Sequence, residues 1–206
     1  MKILAIGAHP DDIETGCAGT LAKYAQSGHE VHLLVMTEGG MGGESAIRKK
    51  EQTRSTKVLR PCKLTWGGYK DTLLSPHMNQ MVYEIEDVLK KTAPDLTFVH
   101  YVEDTHQDHR ALAEATITAT RYIRNVLFFE GPTTQNFSPS VFVDIKKTMD
   151  VKLAAILAHR SQVQKTNIEG LSISDIVRST AVFRGIQGRV QLAEGFIPLR
   201  LFINMA

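Results

Sequence analysis

Residues Ile3 to Thr37 read ILAIGAHPDDIETGCAGTLAKYAQSGHEVHLLVMT. Ile3 to Gly7 is a continuous apolar run and His29 to Thr37 is another, and between them Ile13, Cys17, Leu21 and Tyr24 recur at near-helical spacing. The stretch predicts strand, helix, strand. Downstream the alternation returns: a polar segment from Glu44 to Leu59 leads to a brief strand at Lys63 to Trp66. Met78, Met81, Val82, Ile85, Val88 and Leu89 then mark a helix that Pro94 separates from a strand at Leu96 to Tyr101. A helix over His109 to Arg124, strands at Val126 to Glu130 and Val141 to Ile145, a mostly helical stretch from Lys146 to about Arg184 and a strand within Gln191 to Phe202 complete the chain. Strands alternating with helices of this length predict an α/β fold of three layers, with a mostly parallel central sheet and helices on both faces.

Composition narrows the classes of function. The chain has 206 residues, 24 Lys+Arg against 22 Asp+Glu, and is 43% hydrophobic and 22% charged, which fits one soluble globular domain over residues 1–206. No low-complexity linker or internal repeat interrupts it. A core of this size needs no disulfide or structural metal to hold it. With a net charge of +2 and dispersed basic residues, neither nucleic acid nor a membrane is an expected partner. The run Ile3 to Ala8 is cut short by Pro10, Asp11 and Asp12, too early for a signal peptide, and no apolar stretch approaches the length of a membrane span. Cys17 and Cys62 form no CxxC pair and read as thiols in a reducing compartment, so the expected address is cytoplasmic.

In sheets of this kind the working loops leave the carboxyl ends of the strands. Two of those loops are crowded with His and Asp: Ala8-His9-Pro10-Asp11-Asp12 after the first strand, and Val102 to Arg110 (VEDTHQDHR) after the central one. Taken singly, each has a plain structural explanation, since a carboxylate or a Pro suits the first turn of a helix and Asp108 suits the cap of a helix starting near His109. Together they place two pairs of ligand-type residues, His9 with Asp12 and His106 with His109, three apart at two strand-to-helix junctions. A catalytic divalent metal takes three protein ligands from His and carboxylate, and His9, Asp12 and one His of the second loop meet that need. Asp11 and the other His are then free for acid–base work on water and oxyanion, with Asp108 placed to orient His106 and raise its pKa. Zn2+ suits such a ligand set, as does Fe2+ or another divalent transition metal.

These two motifs, with Met36-Thr37-Glu38-Gly39, Arg48 followed by Glu51, and Ala158-His159-Arg160-Ser161-Gln162, resemble the LmbE-like (PIG-L) zinc-dependent de-N-acetylases over most of the chain. The resemblance implies a Rossmann-like fold without a dinucleotide, in keeping with the lack of GxGxxG after the first strand. It implies Zn2+ on His9, Asp12 and His109, Asp11 as general base, and His106 paired with Asp108 as oxyanion-stabilising acid. It further implies Arg48 and Asp71 as substrate-binding residues and hydrolysis of an N-acetylglucosamine-type amino sugar by metal-activated water, releasing acetate. His159 with Ser161 and Gln162 reads as packing and hydrogen bonding near the site.

The chain also departs from the family pattern. Where some members supply a Tyr just before the second motif, Tyr101 is expected to remain in its strand and receives no role. The chain is short for the family, which leaves room for a neighbouring subunit to complete the pocket in a homo-oligomer, trimer or hexamer. His29, His32, His77 and His100 are given no function, and Gly39 to Gly43 lacks the Lys-Ser/Thr of a phosphate-binding loop and reads as a rim of the pocket. The alternatives are an amidase of the same mechanism acting on a non-sugar amide, and a non-catalytic module that binds a metal or a sugar nucleotide. The second leaves Asp11 without a use.

Overall fold

The structure, a computed structural model, describes residues 1–60 and 62–203. Its elements run β1 (Lys2–Gly7), α1 (Asp12–Gln26), β2 (Glu30–Thr37), α2 (Ser45–Val58), β3 (Cys62–Tyr69), α3 (Met78–Thr92), β4 (Leu96–His100), α4 (Gln107–Ala119), β5 (Val126–Phe129), β6 (Val141–Asp144), α5 (Met149–Leu157), α6 (Ile173–Gly188) and β7 (Ala193–Arg200). The strands form one sheet in the order β3-β2-β1-β4-β5-β7-β6. The first five are mutually parallel. β7 inserts antiparallel between β5 and β6. The expected three-layer α/β architecture is therefore present, with an antiparallel extension on one side.

Both faces of the parallel part are covered, which is why β1 is apolar at successive positions instead of alternating. Ile3 and Ala5 point into a cluster with Ile13, Cys17 and Leu21 of α1 and Ala155 of α5. Leu4 and Ile6 point the other way, onto Met81, Ile85 and Leu89 of α3 and Leu112 of α4. The methionines at 78 and 81 sit in or against this second cluster, as core spacing implies. Cys17 is buried and both thiols are free. No helix among the described residues is long and apolar enough to cross a membrane.

The polar segment 44–59 folds as α2, and its inward face is polar: Arg48, Glu51, Gln52 and Ser55 are all buried. Each finds a partner. Gln52 Nε2 and Ser55 Oγ both donate to Glu14 Oε1, at 2.6 and 2.7 Å, and Glu51 accepts from the Ser161 backbone N–H and hydroxyl. Across the sheet, Glu194 of β7 accepts from the backbone N–H groups of Gly19 and Thr20 in α1, and from Lys152 Nζ at 2.5 Å. Lys152 also donates to the Thr15 carbonyl. Buried ions paired in this way tie α1, α5 and β7 into one unit.

Candidate active site

The sheet order reverses direction between β1 and β4, the place where open α/β sheets leave a crevice at the strands' carboxyl ends. A cavity of about 470 Å³ lies there, lined by His9, Asp11, Asp12, Arg48, Asp71, His106 and His109 among others. The two His/Asp loops, about a hundred residues apart in sequence, meet in it.

Asp11 caps α1 in a left-handed conformation, φ +89°, costly for a residue with a side chain. Its surroundings hold it there. Its backbone N–H donates to Gln52 Oε1 at 3.3 Å, and Arg48 Nη2 donates to Pro10 O at 2.7 Å and reaches Asp11 Oδ1 at 3.4 Å. Arg48 Nη1 donates to Gly39 O at 2.8 Å. An Ala at position 39 would run into this guanidinium, and at φ +66° it would be strained besides. Arg48, one of the two residues expected to touch substrate, is thus buried and clamps the loops after β1 and β2 together while lining the cavity. Burial raises the Asp11 carboxyl to about 6, against the opposing charges of Arg48 and His159.

Asp12 lies one residue further on, at the start of α1. Its Oδ2 accepts from the His9 backbone N–H at 2.7 Å and stands 3.2 Å from His9 Nδ1. Its Oδ1 is 3.4 Å from His109 Nε2. Burial works against its charge, but His109, His100 and His9 prevail and hold the carboxyl well below the usual range. His109 is pushed the other way: burial would lower it, yet Asp12 and Asp104 carry it up to about 9. His9 is raised well above its ordinary value, with burial again outweighed by Asp12 and its other carboxylate neighbours.

His106 is the N-cap of α4, its Nδ1 accepting the Asp108 backbone N–H at 3.2 Å. Its ring stacks on His109 and stands edge-on to His9, each at 4.6 Å between centroids. Here the expectation for Asp108 is corrected. Its carboxylate does not pair with the His106 ring; it accepts from the backbone N–H groups of Thr72 (2.7 Å) and Leu74 (3.2 Å) and lies 3.2 Å from His9 Nε2. Nor does it cap α4, which begins at Gln107. The His106 pKa is lowered, by burial and by neighbouring His9 and His109, instead of raised. Asp71 also faces His9, with Oδ1 at 3.0 Å from Nε2, and its Oδ2 accepts the Met41 backbone N–H. Asp71 and Met41 both line the cavity, so the loop 39–43 is its rim.

Three residues at the site carried no role in the sequence reading. His100 ends β4, with Nε2 3.1 Å from Asp12 Oδ2 and its ring stacked on His109 at 4.0 Å. Asp104 is buried, with Oδ2 3.2 Å from His109 Nδ1 and Oδ1 accepting the His106 backbone N–H. Glu14 anchors α2 and lies 3.6 Å from His159 Nε2, which places the 158–162 segment in the packing role expected of it. Tyr101 follows β4, its hydroxyl turned to Glu103. His29, His32 and His77 pair with Met1, Thr65 and Gln80, away from the cavity.

Overlapping donor triads suit a metal ion, and the expected His9, Asp12 and His109 are divided between them. His9, His106 and His109 each bring a nitrogen within 4.8 Å of the others, as do Asp12, His100 and His109 with their own ligand atoms. His109 Nε2, wholly buried, makes no hydrogen bond. A family model described as PIG-L, GlcNAc-PI de-N-acetylase, matches residues 4–120, the segment that holds every one of the predicted site residues.

The chain belongs to the PIG-L family. Among its PIG-L relatives, the uncharacterized deacetylase YaiS of Escherichia coli K12 is 38% identical over 167 residues, covering 77% of this chain and 90% of its own length. The diacetylchitobiose deacetylase of Thermococcus kodakarensis is 29% identical, with 96% of this chain and 83% of that one covered. The solved structure of the conserved protein TT1542 from Thermus thermophilus superposes with a TM-score of 0.87 at 26% identity, over 100% of this chain and 99% of that one. Lys152, His159 and Glu194 lie beyond the segment that the family model matches, although Lys152 and Glu194 brace the helix that starts at Asp12.

Proposed function

We propose that the chain is a metal-dependent hydrolase that removes the N-acetyl group of an N-acetylglucosamine-type amino sugar or its conjugate, releasing acetate. The observation that carries this reading is the grouping of Asp11 with His9, Asp12 and His109 in one cavity: a spare, mostly buried carboxylate beside a ligand set. The names of the relatives, a diacetylchitobiose deacetylase among them, support the sugar amide as substrate. Residues 1–206 act in this reading as one catalytic domain, since ligands from one half are braced by residues of the other.

His9, Asp12 and His109 would hold the metal, with Zn2+ the best match and Fe2+ or another divalent transition ion chemically acceptable. Bound there, it supplies Lewis acidity to water and to the amide oxygen. Asp11, raised to about 6 by burial, is ionised at neutral pH yet basic enough to take the proton of the attacking water. His106 accepts the Asp108 N–H at Nδ1, so its proton sits on Nε2, free to donate to the oxyanion that forms at the carbonyl. As the C–N bond breaks, the amine nitrogen takes a proton back and acetate keeps the oxygen of water. Arg48 holds Asp11 in place, and Asp71 at the rim would meet a sugar hydroxyl.

The test combines elemental analysis with acetate release from N-acetylglucosamine and diacetylchitobiose. Asp11→Asn should keep its metal and lose activity by about 10²- to 10⁴-fold. A metal-loaded wild type that releases no acetate from N-acetylated sugars, or an Asp11→Asn variant that loses its metal, overturns the assignment.

A further inference from the structure

We propose that Asp108 is a positioning residue for His9: its carboxylate keeps the imidazole proton on Nε2 and so turns the Nδ1 lone pair toward the metal position. The inference rests on the reading of His9 as a metal ligand. It gives Asp108 a partner in the other loop, 99 residues away in sequence.

Lone pairs and protons decide the tautomer. An ionised carboxylate accepts hydrogen bonds and never donates. His9 Nε2 faces two carboxylates, Asp71 Oδ1 at 3.0 Å and Asp108 Oδ2 at 3.2 Å, so the proton of a neutral His9 belongs on Nε2. Asp108 has a wholly buried side chain and is held by the Thr72 and Leu74 N–H groups, which fixes its direction. Nδ1 is left as a bare lone pair, and it points at Asp12 Oδ2, 3.2 Å away.

The opposite side of Asp12 repeats the pattern. His109 turns Nδ1 to Asp104 Oδ2 at 3.2 Å, a contact too bent to be a regular hydrogen bond, and Nε2 to Asp12 Oδ1 at 3.4 Å. When both imidazoles are neutral, as ligation requires, two lone pairs and the oxygens of one carboxylate face one another, and a cation among them takes the place of the ring protons that otherwise fill the gap. Carboxylate–histidine–metal chains of this kind set the tautomer and basicity of the ligand. The ligand atoms assigned are His9 Nδ1, the Asp12 carboxylate and His109 Nε2. The HQDH motif therefore serves both ligating histidines: His109 is one, and Asp108 aims the other.

Asp108 also anchors the loop at Thr72 and Leu74, so its removal could weaken metal binding merely by loosening that loop. Gln107→Ala is the control, because Gln107 Nε2 holds the same loop through Thr72 O at 2.7 Å without touching His9. Zinc affinity is measured by chelator competition on Asp108→Asn, Gln107→Ala and wild type. Histidine ¹⁵N NMR on the zinc-loaded wild type reads which His9 nitrogen carries the proton. The expected result is an affinity loss of about 10- to 100-fold for Asp108→Asn, no more than about twofold for Gln107→Ala, and a proton on His9 Nε2. A proton on Nδ1, wild-type affinity in Asp108→Asn, or an equal loss in Gln107→Ala each overturns the inference alone. A wild type that takes up no zinc overturns it together with the functional reading. Should Asp108→Asn fail to fold, the NMR result on the wild type decides.

Discussion

Replacing Arg48 by Met tests whether this buried guanidinium sets the charge on Asp11 or merely touches substrate. Met keeps the length and apolar stem of the side chain and removes the charge 3.4 Å from Asp11 Oδ1. At an effective dielectric of about 20, the lost attraction is at most about 5 kcal/mol. A quarter of the Asp11 side chain remains exposed, and Arg beside Asp typically lowers the carboxyl by about 1 to 3 units. Without Arg48, Asp11 should therefore rise from about 6 to roughly 7–9. The acid limb of the kcat/KM profile moves up with it, because the base works only when deprotonated. Activity at pH 7 then falls about tenfold for a shift of two units and returns above the new pKa. The Pro10 and Gly39 carbonyls lose their donors as well, at roughly 1–3 kcal/mol each, so the profile is taken below the variant's melting temperature. A loss of activity that is the same at every pH refutes the reasoning and assigns Arg48 to substrate binding alone.

Chelation should make stability depend on alkaline pH. His109, carried up to about 9 in the metal-free protein, contributes stability that is fully present below its ordinary pKa of about 6.5 and is lost as pH rises through 9, on the order of 2–3 kcal/mol; urea titrations at pH 6.5 and 9 should show this with chelator and not with zinc. Glu194→Leu leaves the buried Lys152 ammonium unpaired and should cost about 3–5 kcal/mol. Lys152→Met/Glu194→Leu should regain at least about 1 kcal/mol of it in the same urea titration, and a double variant no more stable than the single one would count against the buried pair.

Most of the parallel sheet was legible because both faces of β1, β2 and β4 are covered, and covered strands read as unbroken apolar runs. α2 was not, since its inward face is Arg48, Glu51, Gln52 and Ser55; a helix held by buried hydrogen bonds has no apolar period to find. The His/Asp cluster was legible because its members are crowded into two short segments at strand ends. His100 received no role because in an apolar strand a single imidazole resembles a packed side chain, and its partner Asp12 is 88 residues away. The pairing of Asp108 went astray for a similar reason. Proximity in sequence favoured His106, whereas the first turn of α4 turns the Asp108 carboxylate toward the loop after β3 and toward His9.

The placement of β7 has a consequence for how the molecule is made. Val126–Phe129 (VLFF) cannot gain its second neighbour until β7 arrives, 64 residues later in the chain (193 − 129). At ribosomal speeds of about 5–20 residues per second, that apolar edge waits roughly 3–13 s for its cover. During that interval its free edge is open to pairing with another strand. Glu194 arrives on β7 as well, so the carboxylate that braces α1 and neutralises Lys152 is made after both. Synthesis thus makes His9, Asp12 and His109 early and braces α1 late, so the candidate site reaches its final form only after β7 has been made.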